Sequence, residues 1–178
     1  MGETFATALK FGKTGESAIA GFMKRRGFHV LPVYEKLDTD YKGPALYLAG
    51  GGSVVAPDML VFGQGKTFWI EAKHKSAFTW HRITRRWVTG IDAHHFSQYM
   101  KVLEVSEWPV WLMFLHGRGV AKDTPDGMTP PCGLFGNELA VLASSINHKH
   151  ENWGRHGMVY WRHESLKRLA SLEEIYPR

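Results

Sequence analysis

Asp58, Glu71 and Lys73 are the residues whose types and spacing suit chemistry. They sit at the margins of two short apolar runs, Met59-Leu60-Val61-Phe62 and Thr67-Phe68-Trp69-Ile70, which flank the turn Gly63-Gln64-Gly65. That pattern predicts a β-hairpin with a short loop. Strand side chains alternate, so Glu71 and Lys73 share one face and Ala72 takes the other. Facing strands bring Asp58 towards that pair. Two carboxylates meeting beside an ammonium group repel one another unless something offsets the charge, and a divalent cation is the usual answer.

The elements around the hairpin follow from periodicity and breakers. Thr14-Gly15-Glu16-Ser17 opens a helical pattern with Ala18, Ile19, Phe22 and Met23 at helical spacing, and Gly27 stops it after Lys24-Arg25-Arg26. Glu16 then falls in the first turn, where a carboxylate is favoured on helix grounds alone. Residues 28–34 read as a strand, with Pro32 placing it near an edge or bulge. Residues 35–52 are turn-like, with a short apolar piece at 45–48. The triplet Gly50-Gly51-Gly52 lacks the strand-to-helix setting and the lysine of a phosphate-binding loop, so it reads as a flexible hairpin link.

After Lys73 the chain is basic and aromatic: Lys75, Trp80, Arg82, Arg85, Arg86 and Trp87 lie close together. Such a segment suits a nucleic-acid backbone track with stacking surfaces. It also suits an exposed hairpin anchored by its tryptophans. Asp92 is a natural N-cap for a helix over 93–105, whose polar side carries His94, His95, Gln98 and Lys101. The apolar run 108–115 predicts a buried strand that supplies core rather than chemistry. Residues 117–133 are loop, 135–146 a short helix, 158–161 a final strand and 165–175 a terminal helix. His148, His150, His156 and His163 have no compact metal-ligand spacing.

The order helix, strand, hairpin, helix, strand, with Pro57-Asp58 followed by Glu71-Ala72-Lys73, resembles the PD-(D/E)xK nuclease superfamily. Arg26-Gly27-Phe28 and the Gly15-Glu16 helix lean towards its archaeal Holliday junction resolvase-like branch. The resemblance implies an α/β fold with a restriction-endonuclease-like core: a mixed central β-sheet flanked by helices, in the order αβββαβ. It covers about residues 12–115, with 116–178 as a C-terminal elaboration of a single domain. It further implies an Mg²⁺- or Mn²⁺-dependent deoxyribonuclease. Asp58, Glu71, the Ala72 backbone carbonyl and Glu16 would be the metal ligands. Lys73 would orient water or stabilise the pentavalent transition state, acting as a base only with a depressed pKa. A polar residue on the second helix falls on Gln98, with His94 as its rival. Lys75, Trp80, Arg82, Arg85, Arg86 and His94 would contact DNA. A junction cutter would be a two-fold homodimer, although no interface stands out in the sequence.

Bulk composition agrees with this reading without requiring it. The 178 residues carry a net charge of +5 and ten histidines, a mildly basic balance compatible with DNA. One cysteine, Cys132, excludes an intrachain disulfide and a cysteine-rich zinc site. The first thirteen residues lack a signal-peptide pattern, and no run is long enough to span a membrane. The chain is therefore expected inside the cell, in the cytoplasm or at the nucleoid, without an organic cofactor. Two competing readings use the same residues: a non-catalytic DNA-binding module on this fold, or an assembly protein whose charged hairpin margins are solvated ion pairs.

Overall fold

The computed structural model describes residues 5–33, 44–151 and 156–177. Helix α1 (Phe5–Arg25) starts well before Thr14 and buries Ile19, Phe22 and Met23. It ends as the sequence predicts. Gly27 adopts φ +82°, while Gly27 N–H donates to the Lys24 carbonyl and Phe28 N–H to that of Met23, a glycine-dependent helix stop. Strand β1 (His29–Pro32) follows and lies at a sheet edge, where proline is tolerated. Tyr34 and the expected turn over 35–43 lie outside the described residues. Beyond them, β2 (Ala45–Tyr47) and β3 (Ser53–Val55) form a hairpin linked through the glycine triplet.

The predicted hairpin is β4 (Met59–Gly63) and β5 (Lys66–Lys75), in the register Gly63↔Lys66 to Met59↔Ile70. Gln64 and Gly65 take φ of 53° and 70°, the paired positive values that match a two-residue turn to strand twist. A second hairpin, β6 (Thr79–His81) and β7 (Arg86–Asp92), separates β5 from helix α2 (Ala93–Ser106). Asp92 caps α2, its Oδ1 accepting from His94 N–H at 2.8 Å. Strand β8 (Val110–His116) then pairs parallel with β5, the geometry that needs a crossover connection.

The C-terminal third departs from expectation. Phe135 begins no helix: β9 (Gly133–Glu138) pairs antiparallel with β8, and only α3 (Leu139–Ser144) is helical. Gly136 permits the pairing, since a Cβ there would lie 2.7 Å from the Leu112 carbonyl oxygen. After β10 (His148–His150) and β11 (Met158–Arg162), the expected terminal helix is mostly strand. A 3-10 turn at His163–Ser165 leads into β12 (Lys167–Ala170), and only α4 (Leu172–Ile175) is helical, behind a Ser171 capping box. The spacing of Leu166, Leu169, Leu172 and Ile175 imitates a helix. In the fold, however, Leu166 belongs to one core and Leu169 and Ile175 to another.

The result is a mixed central sheet flanked by helices, in the order β1-β4-β5-β8-β9-β12, with a second sheet ordered β10-β11-β7-β6. Side-chain alternation sorts the core onto the two faces of the central sheet. Trp69, Tyr99, Val102, Leu112, Phe114 and Trp161 pack on the α2 side; Ile19, Phe22, Ile70, Met113 and Leu115 pack on the α1 side. That is why β8 reads as an unbroken apolar run. Among the described residues, no helix is long and apolar enough to cross a membrane.

Candidate active site

β4 reaches back only to Met59, opposite Ile70, whereas β5 continues to Lys75. Past Ile70, the β5 edge that faced β4 is therefore uncovered. Asp58 turns into that gap, and its Oδ2 accepts from Ala72 N–H at 2.8 Å. A strand residue directs its N–H and C=O to the same side, so the Ala72 carbonyl faces Asp58 as well. The Asp58 carbonyl is itself held, accepting from Val33 N–H at 2.9 Å.

Glu71 and Lys73 share a face, as alternation predicts, and form an ion pair through Glu71 Oε1. Glu71 is not a solvated strand end. The parallel register sets it opposite Leu112, and the residue is only 1% exposed. Its other oxygen, Oε2, is buried without a hydrogen-bond partner. The competing reading of a solvated ion pair does not fit: parallel pairing with β8 buries the Glu71 carboxylate, while the Lys73 side chain stays partly exposed at the rim.

Glu16 also needs a correction. It lies in the middle of α1, so a favourable helix start does not account for its charge. The adjacent Gly15 does account for its position. A Cβ at Gly15 would stand 2.4 Å from His74 Cβ, so only glycine lets α1 sit this close to β5. Burial, then the Glu71 charge, raises the Glu16 pKa, with Lys73 and Lys13 opposing. Glu16 thus senses the Glu71–Lys73 pair from the opposite helix.

The electrostatics of the group are mutually strained. Burial, then Glu71, holds Asp58 well above the usual carboxylate range, against the pull of Lys73 and the Ala72 N–H. Burial alone would lower the Lys73 pKa; the Glu71 and Asp58 charges outweigh it and push it up to about 12. Lys73 is a fixed cation, and the depressed pKa a general base would need is absent. Lys75, next along the same face, is lowered to about 8 by burial and by Lys73.

Helix α2 faces this group with His95, one of the polar candidates, and with Tyr99, which the sequence placed on the apolar side. Burial, then Glu71 and Asp58, raises the Tyr99 hydroxyl far above its ordinary value. His95 is lowered by burial and then by Lys73. Their separation by one helical turn was the available signal. Gln98, the expected contributor, accepts at its Oε1 from Val55 N–H at 3.0 Å and so ties β3 to α2. His94 is exposed, with His156 and His95 as ring neighbours.

The expected DNA contacts divide. Lys75 lies two residues beyond Lys73 on the same face of β5. Trp80 packs edge-on against Trp87 at 5.0 Å, as an anchored hairpin would require. Arg82 donates to Asp123 Oδ1 at 2.6 Å, Arg86 lies 3.8 Å from Glu164, and Arg85 sits in the connecting turn with φ 51°. Among the described residues, no three His, Cys, Asp or Glu side chains are gathered closely enough to form a ready metal cage.

No protein-family model matches the chain, and no curated protein matches it. Its fold is similar to that of a Holliday junction resolvase from the archaeal hyperthermophile Archaeoglobus fulgidus, with a TM-score of 0.52, 8% identity, and coverage of 86% of this chain and 90% of that one. A nuclease from a fusselovirus gives a TM-score of 0.44 at 10% identity, covering 95% of this chain and 89% of that one. At these identities the likeness is one of fold alone.

Proposed function

We propose that this protein is an Mg²⁺- or Mn²⁺-dependent endonuclease that hydrolyses DNA phosphodiester bonds. The observation that carries the reading is the buried Glu71 carboxylate, with Lys73 on one oxygen and nothing on the other, set against a second carboxylate on Asp58. These residues fit a hard divalent cation: oxygen donors, one of them buried and orphaned, in mutual repulsion. Asp58, Glu71 and the Ala72 carbonyl would hold it, with Glu16 as the further carboxylate. When bound, the cation supplies Lewis-acid stabilisation of phosphate oxygens and lowers the pKa of coordinated water.

The chain's own groups supply the rest. Lys73, permanently charged, orients the attacking water and stabilises negative charge on the phosphoryl oxygens. Tyr99 and His95 present neutral polar groups to the same space. Lys75 takes an adjacent phosphate, and Arg82, Arg85 and Arg86 extend the contact along the β6–β7 hairpin. Structure-selective cutting of junction, flap or nicked DNA by a two-fold homodimer is the form of the activity we favour. The test is a panel of linear, nicked, flap, junction and single-stranded DNA, plus RNA, incubated with Mg²⁺, Mn²⁺ or EDTA. Cleavage of DNA that needs the metal and is abolished in Asp58→Asn and Glu71→Gln is the expected result. Full activity in either variant would refute the assignment.

A second reading, a non-catalytic DNA-binding module on the same fold, draws on Lys73 already occupying Glu71 Oε1. Binding without cleavage across the panel would select it.

A further inference from the structure

Two strands of the second sheet, β6 and β7, are the connection between Lys75 and α2, so that half of the sheet grows out of the candidate site. Trp80, the ring expected to stack on a base, meets Trp87 edge-on. Three other flat rings instead converge from three strands: His81 on β6, His148 on β10 and Tyr160 on β11. His81 and His148 lie 4.1 Å apart at 12°, and His148 and Tyr160 lie 4.6 Å apart at 7°. Each of the three residues is partly exposed, unlike the core aromatics Phe78, Phe114 and Trp161.

The stack is held in place by its surroundings. Tyr160 is paired with Gly90 on β7, where a Cβ would stand 2.7 Å from the Tyr160 ring. Arg162 Nε donates to Asn147 Oδ1 at 2.7 Å. Arginine has only donors, so this contact fixes the Asn147 amide, whose NH₂ then donates to His148 Nδ1 at 2.7 Å. His148 is therefore a neutral ring carrying its proton on Nε2, and it stacks on His81 without charge repulsion. Burial, then the neighbouring His81 and His150, lowers its pKa in the same sense. His81 Nδ1 is tied to Thr84 Oγ1 at 2.8 Å, two residues before the turn's first strand partner Arg86. Arg85, Arg86 and Arg162 are exposed, with Arg86 opposite His81 in the β6–β7 register and Arg162 two residues beyond Tyr160 on β11.

We propose that the His81–His148–Tyr160 stack is a platform for an unpaired DNA base, with the surrounding arginines taking the flanking phosphates. The choice of nucleic acid as ligand rests on the nuclease reading above. The platform itself rests on the ring geometry. His148 is covered on both faces and orders the stack, so the base is taken by the outer face of His81 or of Tyr160; a pre-ordered π-surface beside cations is what an unstacked base recognises, whereas a base inside a duplex has no face to offer.

The test is binding of a labelled oligothymidylate and of a blunt duplex to the full chain in EDTA, so that cleavage plays no part. His148→Ala and Tyr160→Ala should each weaken oligothymidylate binding by about tenfold, while Tyr160→Phe and duplex binding stay unchanged. Unaltered single-strand affinity in a folded alanine variant, or an equal loss on duplex, would overturn the proposal. The wild-type protein gives a readout free of folding effects: oligothymidylate should move the ring-proton resonances of His81 or Tyr160, the two ends of the stack, upfield. Unmoved resonances at saturation would also overturn it. Metal-independent binding with shifted resonances but no cleavage of any substrate would defeat the nuclease reading alone. Cleavage with unmoved resonances would defeat the platform alone.

Discussion

Replacing Asp58 by asparagine should stabilise the metal-free protein while abolishing cleavage. The amide oxygen can still accept from Ala72 N–H, so the 2.8 Å bond that closes the gap beside β5 survives. What disappears is a buried negative charge. Of the influences on that charge, burial and Glu71 disfavour it more than Lys73 favours it. The new NH₂ also offers a donor towards a site where Glu71 Oε2 lacks one. Relief of one poorly compensated buried charge is worth about 1–2 kcal/mol, and for a chain of 178 residues that is about 2–8 °C in melting temperature. Thermal unfolding in EDTA measures it. The pH dependence gives a second check. The folded pKa of Asp58 lies above the unfolded one, so its stabilising contribution is complete below the unfolded value and lost as pH rises through the folded value. The variant's advantage should therefore shrink as pH falls from neutral. Histidines lowered by burial, including His95 and His116, act in the opposite sense in both proteins, so they cancel in the difference. Added Mg²⁺ or Mn²⁺ should raise the wild-type melting temperature and leave the variant unmoved. A variant that melts below wild type in EDTA would refute the reasoning, because Asp58–Lys73 attraction would then outweigh the burial and repulsion.

Two further outcomes follow from the site geometry. Gly15→Ala should cost about 1–3 kcal/mol through overpacking against His74, despite alanine's better helix propensity, and should lower cleavage by displacing Glu16; a melting temperature at or above wild type would show that α1 does not need the close approach. Lys75, with its pKa lowered to about 8, is charged below that value and neutral above it, so duplex affinity in EDTA should fall between about pH 7 and about pH 9. Lys75→Ala should remove most of that slope, and a slope unchanged by the substitution would exclude Lys75 as a phosphate contact.

The hairpin was legible because its information is local: two apolar runs, a turn that needs positive φ, and period-two alternation putting Glu71 and Lys73 together. Asp92 and α2 were readable for the same reason. The depth of the site was not. Burial of Glu71 is decided by parallel pairing with Leu112, some forty residues away, and nothing in the hairpin announces it. Gln98 and His95 lie on the same polar stretch of α2, and only the position of β3 decides that Gln98 turns to Val55 instead. At the C-terminus, leucines spaced by three satisfied a helix pattern as well as a strand, a turn and one helical turn. The unpaired edge of β9 settled the choice in favour of β12.

That β8 lies between β5 and β9 has a consequence for how the protein is made. Every residue of the candidate site, from Glu16 to Tyr99, leaves the ribosome before β9 does. At that stage β8 can pair on one side only, and its other edge, with Leu112 and Phe114 beside it, is an open template for a foreign strand. At about 5–20 residues per second the missing strand arrives within seconds of β8, and β12 then closes the sheet with Lys167 and Arg168, charges that discourage further strand addition. The C-terminal third therefore acts as an in-built guard against aggregation, and a fragment ending before Gly133 would hold every proposed metal ligand with nothing to shield the strand beneath them.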